Sequence, residues 1–154
     1  MIQDYKQFFS RPAEQVAPDL LGRMLTLHLY NETRTGRILE TGAYQEGKIT
    51  PSREGMRYAP GTLFLMPRRA FLLFNIATEK EGYPSCVEIR RVAFEEKVVN
   101  GPGAVSKAFG ITKDLDGILL GDQIQISGER VESSLITRRN GDSDNCLGYF
   151  SIKI

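Results

Sequence analysis

The chain alternates short apolar runs with polar, glycine-bearing breaks. In "MLTLHLYN" (24–31) and "GRILETGAY" (36–44) apolar and polar positions exchange nearly every other residue, the pattern of strands half buried against a core. "NET" at 31–33 and Gly36 interrupt them, which predicts an antiparallel hairpin of strands 23–30 and 36–44. "GTLFLM" and "AFLLFNIA" are more continuously apolar and meet at Pro67, Arg68 and Arg69, a second hairpin with a cationic tip. "SCVEIRRVAF" (85–94) reads as a further strand. Strict alternation there puts Cys86, Glu88 and Arg90 on one face and Val87, Ile89 and Arg91 on the other, so the two arginines diverge. Short strands at 122–127, 130–137 and 146–154 complete the pattern.

Helical signals are fewer. In "FFSRPAEQVAPDLLGRML" Ser10 is a candidate N-cap, Pro12 and Glu14 suit a first turn, and Gly22 is a stop; Pro18 removes a backbone donor and should kink or divide this helix. "NGPGAVSKAFG" places Pro102 at a first helical position and Gly110 as the stop. The helix start at Gly101 offers backbone N–H groups suited to an anion such as phosphate. "KDLDG" is a further helical turn or a loop, and residues 45–60 have no sustained period and form a long loop. Hairpins interspersed with short helices give an α+β class.

Composition narrows the function classes. At 154 residues the chain has the size of one domain, 1–154, and 41% hydrophobic with 25% charged residues is a globular balance. No apolar run approaches the roughly 18–20 residues of a membrane span, and "MIQDYKQFFS" lacks signal-peptide regions, so a cytoplasmic protein is expected. A net charge of +1 argues against a nucleic-acid binder unless local doublets share a face: Arg68-Arg69, Arg90-Arg91 and Arg138-Arg139 are the candidates. Cys86 and Cys146 are too few for a disulfide framework or a CxxC metal site. His28, the only histidine, lies in a strand, which removes the commonest parts of zinc and Ser-His or Cys-His chemistry.

"PAEQVAPDLLGRML", "GRILETGAY", "PGTLFLM", "LLFNIA", "CVEIRR" and "NGPGAVSKAFGI" occur in the order and spacing of the alkyladenine (3-methyladenine) DNA glycosylases. The chain resembles that family from about Phe8 to Leu120, and "RRN" and "LGYFSI" look like its closing strands. The resemblance implies one mixed domain on a curved, largely antiparallel sheet, acting as a monomer on double-stranded DNA with alkylated purines, near the nucleoid in a prokaryote, without metal or organic cofactor. Members bind the minor groove, insert a hairpin residue and flip a damaged purine into a pocket where its N-glycosidic bond is cleaved. By this likeness Tyr44 matches the aromatic that stacks on the flipped base, Asn75 the pocket-floor asparagine, and Arg90 an arginine that helps hold the catalytic water. Arg68 falls near the intercalating position, and Arg69 joins it as a DNA contact.

Two departures bear on activity. The family strand reads Glu-Thr-Glu-Ala-Tyr, with its second glutamate as general base, whereas this chain has "ETGAY" and Gly42. The family's pocket histidine is missing as well. General-base assistance is worth about 10²–10⁴-fold, and the candidate stand-ins are Glu40, two residues from Gly42, and the loop carboxylates Glu46 and Glu54. Three readings are open: a glycosylase restricted to cationic lesions such as 3-methyladenine; a non-catalytic alkylated-DNA lesion-binding protein, in which Gly42 enlarges the pocket and Gly42→Glu rescues activity; and a fold relative that leaves DNA alone. One basic face holding Arg68, Arg69, Arg138 and Gly101 would separate the first two from the third.

Overall fold

In a computed structural model, residues 2–45, 58–141 and 145–153 are described. Their strands join in one antiparallel sheet built outward from the long strand β2, Thr33–Gln45. One edge of β2 pairs with β5 (Ser85–Ala93). The other is shared by β1 (Met24–His28), which takes residues 33–37, and β9 (Cys146–Ile152), which takes residues 40–44. From β5 the sheet continues through β4 (Phe71–Ala77) to β3 (Leu63–Arg68), with β6 (Val98–Asn100) on the far end of β5. From β1 it continues to β7 (Ile124–Ser127), and from β9 to β8 (Ile136–Arg139).

One sheet face carries the core. Ile38 and Ala43 of β2, Phe74 and Ile76 of β4, Val87 and Ile89 of β5 and Phe150 of β9 are buried there, under helices α2 (Ala13–Asp19) and α3 (Pro102–Phe109). Thr41, fully buried, donates its hydroxyl to the Ala17 carbonyl at 2.7 Å and so ties α2 to β2. The Phe109 ring of α3 lies 4.8 Å from Phe94 and 6.2 Å from Phe74. The opposite face of β2, β5, β4 and β9 carries Glu40, Tyr44, Glu88, Arg90, Asn75 and Tyr149.

Several local expectations shift. The N-terminal helix is two: α1 (Tyr5–Phe9), capped by Asp4 accepting from the Gln7 N–H, and α2, which starts behind Pro12. Ser10 ends α1 instead of starting α2, and its hydroxyl bonds back to the Lys6 carbonyl. Pro18 sits in the last turn of α2, which stops one residue later. Residues 133–135 form a turn of 3₁₀ helix, so the strand expected from 130 begins only at Ile136. Pro67 and Arg68 belong to β3, and the hairpin tip is Arg69 and Ala70, with Arg69 at φ 57.

The most consequential departure is in β5. Ile38 pairs with Val92, Glu40 with Arg91 and Thr41 with Ile89, so β2 holds an extra residue at Leu39 and β5 one at Arg90. Core positions therefore run Val87, Ile89, Val92 instead of alternating strictly. The expected divergence of Arg90 and Arg91 fails for this reason, and both stay half-buried. On the other edge of β5 the Arg90 carbonyl accepts the Gly101 N–H at 2.6 Å, which extends the β5–β6 ladder beyond the Arg91–Asn100 pair and seats the start of α3 beside β5.

Phe109 bridges α3 to β4, so Phe109→Ala should cost about 3–5 kcal/mol. Urea unfolding monitored by circular dichroism measures it. A loss below about 1 kcal/mol would mean that α3 does not depend on this packing.

Candidate functional site

The site runs along one transverse row of the sheet. Directly paired residues are Phe64 of β3 with Asn75 of β4, Asn75 with Glu88 of β5, Glu88 with Gly42 of β2, Gly42 with Tyr149 of β9, and Tyr149 with Arg139 of β8. Directly opposite residues point to the same face, with Cβ atoms about 4.5–5.5 Å apart. Glu40 and Tyr44 flank Gly42 along β2, and Arg90 lies two residues beyond Glu88.

Glu88 is the carboxylate at the Tyr44 ring. Its Oε1 accepts Arg90 Nη1 at 2.7 Å and the Tyr44 hydroxyl at 3.2 Å. The Glu88 side chain is only 8% exposed. Burial pushes its carboxyl above the ordinary value, and Arg90, Tyr44 and Arg68 pull it back only in part. For the Arg90 guanidinium burial works against the charge, yet Glu88, with Tyr44 and Tyr149, more than restores it, so its pKa lies above the usual arginine value. Arg90 also reaches Glu40 through Nε at 3.4 Å and lies 4.0 Å from the centre of the Tyr149 ring.

Glu40 is occupied differently. The Ser151 hydroxyl donates to its Oε1 at 3.2 Å, Arg139 stands 3.8 Å from that oxygen, and Arg90 takes Oε2. Burial raises the Tyr44 hydroxyl far above a normal phenol, with the Glu88 charge and the Tyr149 hydrogen bond acting in the same sense. Burial likewise raises Tyr149, whose hydroxyl lies 3.3 Å from that of Tyr44.

Position 42 is not an enlarged pocket. A β-carbon on Gly42 would stand 3.1 Å from both the Tyr149 and Tyr44 rings and 3.2 Å from Arg90 Cδ, tighter than ordinary packing. The negative charge is not absent either, because Glu88 supplies one on the adjacent strand. Asn75 is buried, with its amide on the Leu73 carbonyl and its oxygen accepting the Cys86 thiol at 3.5 Å.

The expected cationic residues fall in two groups. Arg68, at the end of β3, is close enough to act electrostatically on Glu88, and Arg69 is exposed beside it at the tip. Gly101 is near in space, since its neighbour Gly103 approaches the Phe71 ring, although its own N–H is taken by Arg90. Arg138 is not on this face, so the single basic face of Arg68, Arg69, Arg138 and Gly101 expected of a DNA binder does not form as such. Arg138 pairs with Phe150, stacks on that ring at 5.7 Å, bonds the Leu147 carbonyl and approaches Glu14 at 3.9 Å. Arg139 takes its place, 4.3 Å from the Tyr149 ring centre.

Glu88 and Tyr149 are the site-face residues that sequence reasoning did not single out, and Arg139 was named there only as half of a basic doublet. Alternation already put Glu88 with Arg90; only the register showed that it faces Gly42. Glu46 and Glu54 lie outside the described residues. Among the described residues no group of His, Cys, Asp and Glu comes together to hold a metal ion, and no helix is long and apolar enough to cross a membrane.

A family model of methylpurine-DNA glycosylases matches residues 7–141. A Staphylococcus saprophyticus protein named "Putative 3-methyladenine DNA glycosylase" is 34% identical over 139 residues, covering 75% of this chain and 68% of that protein. A Staphylococcus aureus protein of the same name is 33% identical over 139 residues, covering 75% and 69%.

Two outcomes test this geometry. Alkaline titration of phenolate absorbance should give superimposable curves for wild type and Tyr44→Phe until unfolding; an additional group ionising near about pH 10 in the wild type would contradict the buried hydroxyl. Gly42→Glu crowds two rings and sets a second carboxylate opposite Glu88, so urea unfolding should show a loss of about 1–3 kcal/mol. Unchanged stability would show that Arg90 and the rings yield freely.

Proposed function

This chain belongs to the methylpurine-DNA glycosylase family, and we propose from that premise that it is a 3-methyladenine DNA glycosylase-like protein of base excision repair. It acts as a monomer, drawing an alkylated purine out of duplex DNA to stack on Tyr44 and hydrolysing its N-glycosidic bond. The observation that carries this reading is the half-buried Tyr44 ring on one sheet face with Glu88, Arg90 and Asn75. An aromatic face contributes about 1–3 kcal/mol to stacking a base and attracts a positively charged purine further. Arg68 and Arg69, flanked by exposed Met66 and Phe71, give the β3–β4 tip both charge and apolar surface for the duplex.

The same chemistry limits the substrates. A neutral purine needs a proton to leave, whereas a cationic one leaves as a neutral base. His28, the only histidine, is held by Thr33 and Gln125 on the β1–β7 side of the sheet. The Tyr44 and Tyr149 hydroxyls, raised by burial, are weak proton donors. Cationic lesions such as 3-methyladenine are therefore the substrates favoured over neutral hypoxanthine. Gly42 favours a second reading, damage-selective binding without turnover.

Release of base from duplexes carrying each lesion separates these readings. 3-Methyladenine should be released at least about tenfold faster than hypoxanthine. Equal, fast release of both overturns the restricted scope, and lesion-selective binding with release no faster than in buffer selects the binding protein.

A further inference from the structure

We infer that Glu88 is the general base of this chain, taking a proton from the attacking water through Oε2. The inference rests on the glycosylase reading and adds the residue that performs its hydrolytic step. Glycoside hydrolysis is most often assisted by a carboxylate beside the reacting sugar, and two described carboxylates lie on this face, Glu40 and Glu88. Glu88 bonds the hydroxyl of Tyr44, the ring proposed to hold the purine; Glu40 stands two residues away from Gly42 along β2, with Arg90 between the two carboxylates. Both oxygens of Glu40 are engaged, Oε1 by Ser151 and Arg139 and Oε2 by Arg90. The two hydrogen bonds that Glu88 accepts from Tyr44 and Arg90 both end on Oε1.

Position 42 and position 88 are direct cross-strand partners, so a carboxylate at 88 serves the same stretch of the face as one at 42, from the neighbouring strand. Arg90 and Tyr44 fix its orientation by the bonds to Oε1. In the reaction Glu88 Oε2 accepts a proton as the water oxygen bonds to the sugar C1′. The C1′–N bond breaks and its electron pair leaves with the cationic purine, which departs neutral. Glu88 then returns the proton to solvent, and an abasic sugar remains. Burial makes this carboxyl a stronger base than an exposed glutamate.

Single-turnover release of methylpurines from methylated duplex DNA, with lesion binding measured in parallel, decides the assignment. For Glu88→Gln, an isostere, release should fall about 100-fold or more with lesion affinity kept within a few-fold. The wild-type rate should rise with pH through a pKa above that of an exposed glutamate, and this limb should vanish in Glu88→Gln. Release by Glu88→Gln near the wild-type rate overturns the proposal, as does loss of the acid limb in Glu40→Gln instead. Should Glu88→Gln not fold, Glu88→Asp decides: a fall of about tenfold or more with the acid limb retained supports the assignment, and a smaller fall overturns it. A wild-type protein that binds methylated DNA selectively without cleaving it also overturns the base assignment, while the lesion-binding reading stands. Absence of both binding and cleavage overturns the functional reading itself.

Discussion

Arg90 holds the two halves of this face together. The bulge in β5 makes it the unpaired residue of its strand, its carbonyl is taken by Gly101 at the start of α3, and its guanidinium spans Glu88 and Glu40 over the Tyr149 ring. Two carboxylates on one sheet face would repel each other. The planar fork of an arginine can satisfy both and lie flat on an aromatic ring, which the compact ammonium of a lysine cannot. The arrangement adds little net stability, because taking these charges out of water offsets most of the attraction. Removing the arginine is a different matter: Glu88 is left buried without its counter-charge, a loss of about 3–5 kcal/mol.

Glycine at position 42 is part of the same constraint. The space beside it is used by Arg90 Cδ and the edges of Tyr44 and Tyr149. A side chain there would displace the arginine that steadies Glu88, and an acidic one would set like charges directly opposite each other across the β2–β5 pair. Glu88 with Gly42 is thus one self-consistent arrangement, with the charge on β5 and the room for its partner on β2. Reading position 42 by itself misses this, because a vacancy in one strand says nothing about the strand beside it.

That limit describes what was legible in the sequence. The β1–β2 and β3–β4 hairpins, β5, α3, β7 and β9 were readable because period-two alternation and glycine or proline punctuation are local signals. The forked pairing of β2, with β1 and β9 sharing one edge, is a long-range choice that no local pattern encodes. Strand β6 is three residues long and leaves almost no period to detect. The bulge at Arg90 defeated strict alternation because an inserted residue inverts the parity of everything after it. Tyr44, Arg90 and Asn75 were named as candidates by resemblance, and register places them around the same few residues. Glu88 was on the correct face by alternation, but its significance depends on the residue across from it.

The distribution of charge bears on how a chain with a net charge of only +1 could engage DNA in the proposed function. Many of its arginines are neutralised where they stand: Arg11 and Arg130 by Asp19, Arg34 by Glu32, Arg90 by Glu88 and Glu40. Among the described residues Arg68 and Arg69 at the β3–β4 tip form no ion pair, and they are exposed. Each phosphate neutralised contributes a slope of about −0.9 to the dependence of log affinity on log salt, so two or three contacts amount to weak, mildly salt-sensitive anchoring. An electrostatic footing of that size supports search along the duplex better than firm attachment at any one place. In the proposed function selectivity would come from the pocket, where stacking on Tyr44 would be available only to a base that has left the helix. A lesion that unstacks readily and carries positive charge would meet both conditions, so on the proposed function the local chemistry of this face, and not the overall charge, would set what is recognised.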